Sequence, residues 1–126
     1  MPSVLIVEDD RGVAELLERL VRGVSDDVTV ASDGHEALGA LERRTFDRVI
    51  CDLKLPGPDG LEITRWIVRH RPEIRVLVVS GFLEPSAETE LRELGAQRLS
   101  KPFRVRRVRA FVDGSERPVP EAEVHA

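Results

Sequence analysis
The chain has 126 residues, 41% of them hydrophobic and 33% charged, which suits one soluble domain with one core and leaves little room for a second module. A formal net charge of -4 argues against a nucleic-acid binder held mainly by phosphate contacts. One cysteine excludes an intrachain disulfide, and no apolar run has the length of a membrane span.

The N-terminus enters a short apolar run, Val4 to Val7, and acidic residues follow at once. That is not a signal peptide, so a cytoplasmic location is the expectation. The run reads as a strand buried on both faces. Val13, Leu16, Leu17, Leu20, Val21 and Val24 then recur at helical spacing and outline one face of an amphipathic helix. Val28 to Ala31 is a second strand. Asp33 and Glu36 have capping-box spacing, with Ala37, Leu38 and Leu41 on one helix face. Arg48 to Cys51 is a third strand ending at Asp52, and Cys51 within it reads as a small buried residue.

Leu55-Pro56-Gly57-Pro58 must be a loop, because two prolines exclude both ladder and helix. Asp59 and Glu62 repeat the capping spacing before Leu61, Thr64, Ile67 and Val68, and His70-Arg71-Pro72 stops that helix. Val76 to Val79 is the fourth strand, ending at Ser80. A weaker helix follows over Ala87, Leu91 and Leu94, with Gly95 just past its end. Arg98 to Ser100 is a short fifth strand before Lys101-Pro102-Phe103, and Val105, Val108, Phe111 and Val112 outline a last helix. The pattern gives a domain over 1–113 and a disordered tail over 114–126, where apolar partners run out.

Five strands alternating with five helices predict an α/β fold: a parallel five-stranded sheet covered on both faces, with flavodoxin-like order 2-1-3-4-5. In that order the first and third strands are neighbours at the switch point. Their carboxyl ends place Glu8, Asp9 and Asp10 beside Asp52, and the fourth and fifth strands add Ser80 and Lys101. Crowded carboxylates repel and need a cation, and an all-oxygen set favours Mg²⁺ or Ca²⁺ over zinc. The expected ligands are Asp9, Asp52, a water-mediated Glu8 and the backbone carbonyl of Lys54. Lys101 offers a point charge and Ser80 a hydroxyl to phosphate oxygens. Together these are parts for phosphoryl transfer, with Asp52 as the nucleophile between the metal pair and Lys101. Asp10 reads as a helix-start carboxylate. His35 and His70 read as solvated, Trp66 as packing, and Arg104, Arg106, Arg107 and Arg109 as a basic face of the last helix.

The arrangement resembles the receiver domains of two-component response regulators. The matching segments are Val7-Glu8-Asp9-Asp10, Asp52 through Gly60, Ser80-Gly81, Gly95-Ala96 and Lys101-Pro102-Phe103. The resemblance implies that Asp52 accepts phosphate from a phosphohistidine of a sensor histidine kinase or histidine phosphotransferase. It implies that Glu8 and Asp9 hold Mg²⁺, that Lys101 and Ser80 bind the phosphoryl group, and that the Lys101–Pro102 bond is cis. It implies no enzyme beyond the domain's own phosphoryl transfer. Lys54 and Phe82, two residues after Asp52 and Ser80, are poorly suited to orient an attacking water, so self-dephosphorylation is expected to be slow. Output would pass to a protein target or by phosphotransfer, with neither nucleic acid nor membrane as partner and the last helix as a candidate homodimer face. One departure stands out: the family's usual aromatic three residues before the lysine is Arg98 here, a candidate charged switch residue working with Ser80. The competing reading is a phosphorylation-independent pseudo-receiver that only binds partners. An aspartate-dependent phosphatase would need an acid at position 54, where Lys54 stands. A flavin carrier would place its phosphate against the acidic loop after the first strand.

Overall fold
The structure is a computed structural model and describes residues 2–115. Five strands alternate with five helices: β1 (Ser3–Val7), α1 (Arg11–Arg22), β2 (Asp27–Ala31), α2 (Gly34–Arg43), β3 (Arg48–Asp52), α3 (Gly60–His70), β4 (Arg75–Ser80), α4 (Pro85–Glu93), β5 (Gln97–Ser100) and α5 (Val105–Asp113). The strands form one sheet in the order β2-β1-β3-β4-β5, and all four pairings are parallel. This is the expected flavodoxin-like topology, with strand bounds within one residue of those read from the sequence.

The strands are short continuous apolar runs because both sheet faces are covered. Alternate residues divide between two cores. Leu5, Val7, Val49, Cys51, Val76 and Val78 face α2, α3 and α4, where Leu41, Ile63, Ile67 and Leu91 meet them. Val4, Ile6, Ile50, Leu77 and Val79 face α1 and α5, where Leu17, Val21, Val108, Phe111 and Val112 complete the second core.

Helix starts follow the capping residues. Asp10, Asp33 and Asp59 accept from the backbone N–H groups of Val13, Glu36 and Glu62 at 3.0, 2.8 and 2.9 Å. Asp10 therefore has the capping role expected of it. Helix α4 starts on Pro85 without a side-chain cap and buries only Leu91, as the weak pattern there predicts. Gly95 (φ 84°) turns the chain out of α4 and Gly114 (φ 79°) out of α5, a conformation that glycine adopts at no steric cost.

Three apolar residues expected on inward faces lie at their margins instead. Leu16 is 43% exposed, Val105 43% and Val68 37%, because the buried stripe of each helix is narrower than its apolar sequence face. The tail expected from residue 114 begins with an ordered turn: Gly114 caps α5, and the Ser115 N–H donates to Asp113 Oδ1 at 2.8 Å. The rest of that tail, 116–126, lies outside the described residues. Among the described residues, no helix is long and apolar enough to cross a membrane.

Candidate functional site
The parallel sheet brings the C-terminal ends of β1, β3, β4 and β5 to one edge. The register sets Val7 beside Cys51, so Glu8 and Asp9 leave β1 next to Asp52 at the end of β3. One carboxylate oxygen each from Glu8, Asp9 and Asp52 lies within 4.8 Å of the other two. Glu8 is buried, Asp52 half-buried and Asp9 exposed, so the cluster opens to solvent on the Asp9 side.

Lys101 comes from the far side of the sheet, just past β5, where its N–H donates to the Ser80 carbonyl at 2.8 Å. Its Nζ donates to Asp52 Oδ2 and to Glu8 Oε1, both at 3.1 Å. One ammonium thus bridges two of the three carboxylates, across 49 and 93 residues of sequence. The Lys101–Pro102 peptide bond is cis, as the resemblance implies.

Burial pushes Glu8 up to about 7. The Asp10 N–H and Lys101 oppose that shift, and neighbouring Asp52 adds to it. Burial pulls the Lys101 ammonium down, but its hydrogen bonds to Asp52 and Glu8 outweigh that and hold its pKa above the ordinary lysine value. Burial likewise pushes the Cys51 thiol far up, and its Sγ–H donates to the Asp52 carbonyl at 3.2 Å. Cys51 is therefore an inert packing residue, as read from its apolar run.

Ser80 ends β4 one residue past Val79, which is in register with Asp52. Its hydroxyl donates to the Phe82 carbonyl at 2.6 Å rather than to an acidic side chain. Lys54 lies on the loop after β3 with an exposed side chain. Arg98 sits on β5 in register with Val78, and its partners Ala96 and Glu88 are not those of the acidic cluster. Its Nη1 donates to the Ala96 carbonyl at 2.8 Å, its Nη2 pairs with Glu88 of α4 at 3.2 Å, and its Nε is buried without a partner.

The structure thus brings Glu8, Asp9, Asp52 and Lys101 together, with Ser80 at the next strand end, and leaves Arg98 outside. The sequence reading missed two features. The Ser80–Phe82 bond depends on a rotamer and carries no sequence signal. The contact of Gly34 and His35 with the loop after β3 does have a signal, a glycine directly after a helix-capping aspartate.

A family model described as "Response regulator receiver domain" matches residues 4–113. The chain belongs to the response regulator receiver domain family. The DNA-binding transcriptional regulator NtrC of Klebsiella pneumoniae is 32% identical to it over 109 residues, which cover 86% of this chain and 23% of NtrC. The receiver domain spans between a fifth and a quarter of the length of the curated relatives it matches. Among solved structures, a putative response regulator from Chloroflexus aurantiacus is 34% identical with a TM-score of 0.76, covering 85% of this chain and 90% of that one. The receiver domain of a Francisella response regulator is 25% identical with a TM-score of 0.79, covering 92% and 100%.

Proposed function
We propose that this receiver domain accepts a phosphoryl group on Asp52 from a histidine kinase or histidine phosphotransferase, with Mg²⁺ as its cofactor. The reading rests on one observation: the Asp52 carboxylate accepts from the Lys101 ammonium, which also holds Glu8, and clusters with the carboxylates of Glu8 and Asp9. The donor set fits Mg²⁺, because all three side chains offer oxygen and Asp9 faces solvent, where an ion can keep its waters. Asp9, Asp52 and the Lys54 carbonyl would hold the ion directly, and Glu8 through water. When bound, Mg²⁺ supplies positive charge against the phosphoryl oxygens.

The protein's own groups do the rest. An Asp52 carboxylate oxygen attacks phosphorus; the new P–O bond forms as the P–N bond to the donor imidazole breaks, and the imidazole leaves with the bond's electron pair. Lys101 gives up its bridge to Asp52 and binds a phosphoryl oxygen as a point charge. The Ser80 hydroxyl turns from Phe82 to another phosphoryl oxygen. Arg98 is the switch partner of Ser80 in this reading, and its movement would break the Glu88 pair. The domain catalyses only this transfer and its own slow hydrolysis. Lys54 and Phe82, the residues flanking the site, are exposed and offer no carboxylate or amide to orient water. Output passes to a protein target or onward by phosphotransfer.

Incubation with acetyl phosphate and Mg²⁺, followed by intact mass, tests the reading. The expected result is one added phosphoryl mass that depends on Mg²⁺ and persists well beyond seconds. A chain that binds Mg²⁺ but never gains that mass would be a pseudo-receiver; loss of the mass within seconds would overturn the slow hydrolysis.

A further inference from the structure
The loop from Leu53 to Asp59 carries Lys54, and it is held at two places. Its neck is closed by β4 and α3: the Leu53 N–H donates to the Val79 carbonyl at 3.1 Å and the Gly60 N–H to the Leu53 carbonyl at 2.8 Å. A Cβ at Gly60 would sit 2.5 Å from the Asp52 carbonyl oxygen, so α3 abuts the end of β3 directly. Its tip, Pro56-Gly57-Pro58, meets the first turn of α2 instead. The Gly34 N–H donates to the Pro56 carbonyl at 3.3 Å. A Cβ at Gly34 would lie 1.9 Å from the Pro58 carbonyl oxygen and 2.8 Å from its carbon. Those are backbone atoms, so no side chain fits unless the loop moves. From the other side, the His35 ring covers Gly57, whose φ is +73°; a Cβ there would lie 2.8 Å from His35 Cδ2.

We propose that Gly34 and His35 are positioning residues for the site, with the first turn of α2 setting how close the Lys54 segment stands to Asp52. This rests on the phosphoacceptor reading and deepens it. Neither residue touches the carboxylates. They act through the loop, as outer contacts of a metal site orient its inner ligands. Pro56 and Pro58 fix φ at two positions of the loop tip, so a push at Pro58 has few free backbone torsions to absorb it before Lys54.

The test uses the full chain and two readouts: Mg²⁺ affinity by calorimetry, and phosphorylation by acetyl phosphate as a function of Mg²⁺. Gly34→Ala is expected to weaken Mg²⁺ binding by about tenfold or more. It should raise the Mg²⁺ level needed for half-maximal phosphorylation, with the rate at saturating Mg²⁺ largely kept. Gly39→Ala is the control: it lies in the same helix, where a Cβ meets only the flexible end of Arg43 at 3.3 Å, and its Mg²⁺ affinity should equal the wild type's. Should Gly34→Ala fail to fold, the exposed His35 decides. His35→Ala should weaken Mg²⁺ binding, and His35→Phe, which keeps a flat ring over Gly57, should restore it. Variants that bind Mg²⁺ like the wild type would overturn the positioning role alone. A wild-type chain that binds no Mg²⁺ would overturn the Asp52 reading and this inference with it.

Discussion

Glu8 ties the stability of the fold to pH. It is 2% exposed, and burial pushes its pKa up to about 7, against 4.5 for a free glutamate. Between those values the folded chain holds a proton that the unfolded chain releases, so Glu8 weakens the fold as pH rises from about 4.5 to 7 and adds no further loss above that range. The contribution is on the order of 3 kcal/mol. Urea unfolding of wild type and Glu8→Gln at about pH 5 and about pH 8 checks it. The wild type should lose stability relative to the variant at the higher pH, and an unchanged difference would contradict the buried ionisation. Mg²⁺ affinity should move the other way, rising as Glu8 ionises, and calorimetry across the same range measures it. The acidic residues and Lys101 were legible in the sequence because a parallel sheet must deliver its strand ends to one edge. The hydroxyl direction of Ser80 was not, since it depends on the Phe82 carbonyl and not on spacing.

At the scale of elements, the helices differ in how firmly their starts are fixed. Asp33 and Asp59 each satisfy a backbone N–H that would otherwise lack an intrahelical partner. Asp33→Ala should cost about 1 kcal/mol in chemical denaturation. Helix α4 lacks such a bond at Glu84, so Glu84→Ser should stabilise the domain by up to about 1 kcal/mol; a destabilised variant would show that Glu84 has another role there. Helix α4 is tied down by Arg98–Glu88 and by the Arg65–Glu90 pair from α3, both partly exposed and each worth little on its own. Amide exchange should therefore be faster in α4 than in α1 or α3. Cap spacing made the helix starts readable. Apolar periodicity gave the inward faces but not their width, which is why Leu16, Val68 and Val105 were placed inward and lie exposed.

The whole molecule is a sheet with two cores, and its site sits where the chain leaves that sheet. The core behind β1, β3 and β4 contains Phe111, fully buried among Val4, Ile6 and Ile50. Phe111→Ala should cost about 3–5 kcal/mol, a large share of the stability of a domain this size. The topology was legible because alternating strand and helix patterns allow few right-handed arrangements. The packing of α2 against the loop after β3 was missed, because its one sequence mark, Gly34 directly after the capping Asp33, does not say which segment the glycine meets. What the topology achieves chemically is to bring an aspartate from the end of β3, an acidic pair from the end of β1 and a lysine from the end of β5 into one cluster. Phosphoryl uptake from acetyl phosphate in Mg²⁺, compared between wild type and Asp52→Asn, measures that most directly. The wild type should gain one phosphoryl group and the variant none; equal uptake by both would contradict the assignment of Asp52.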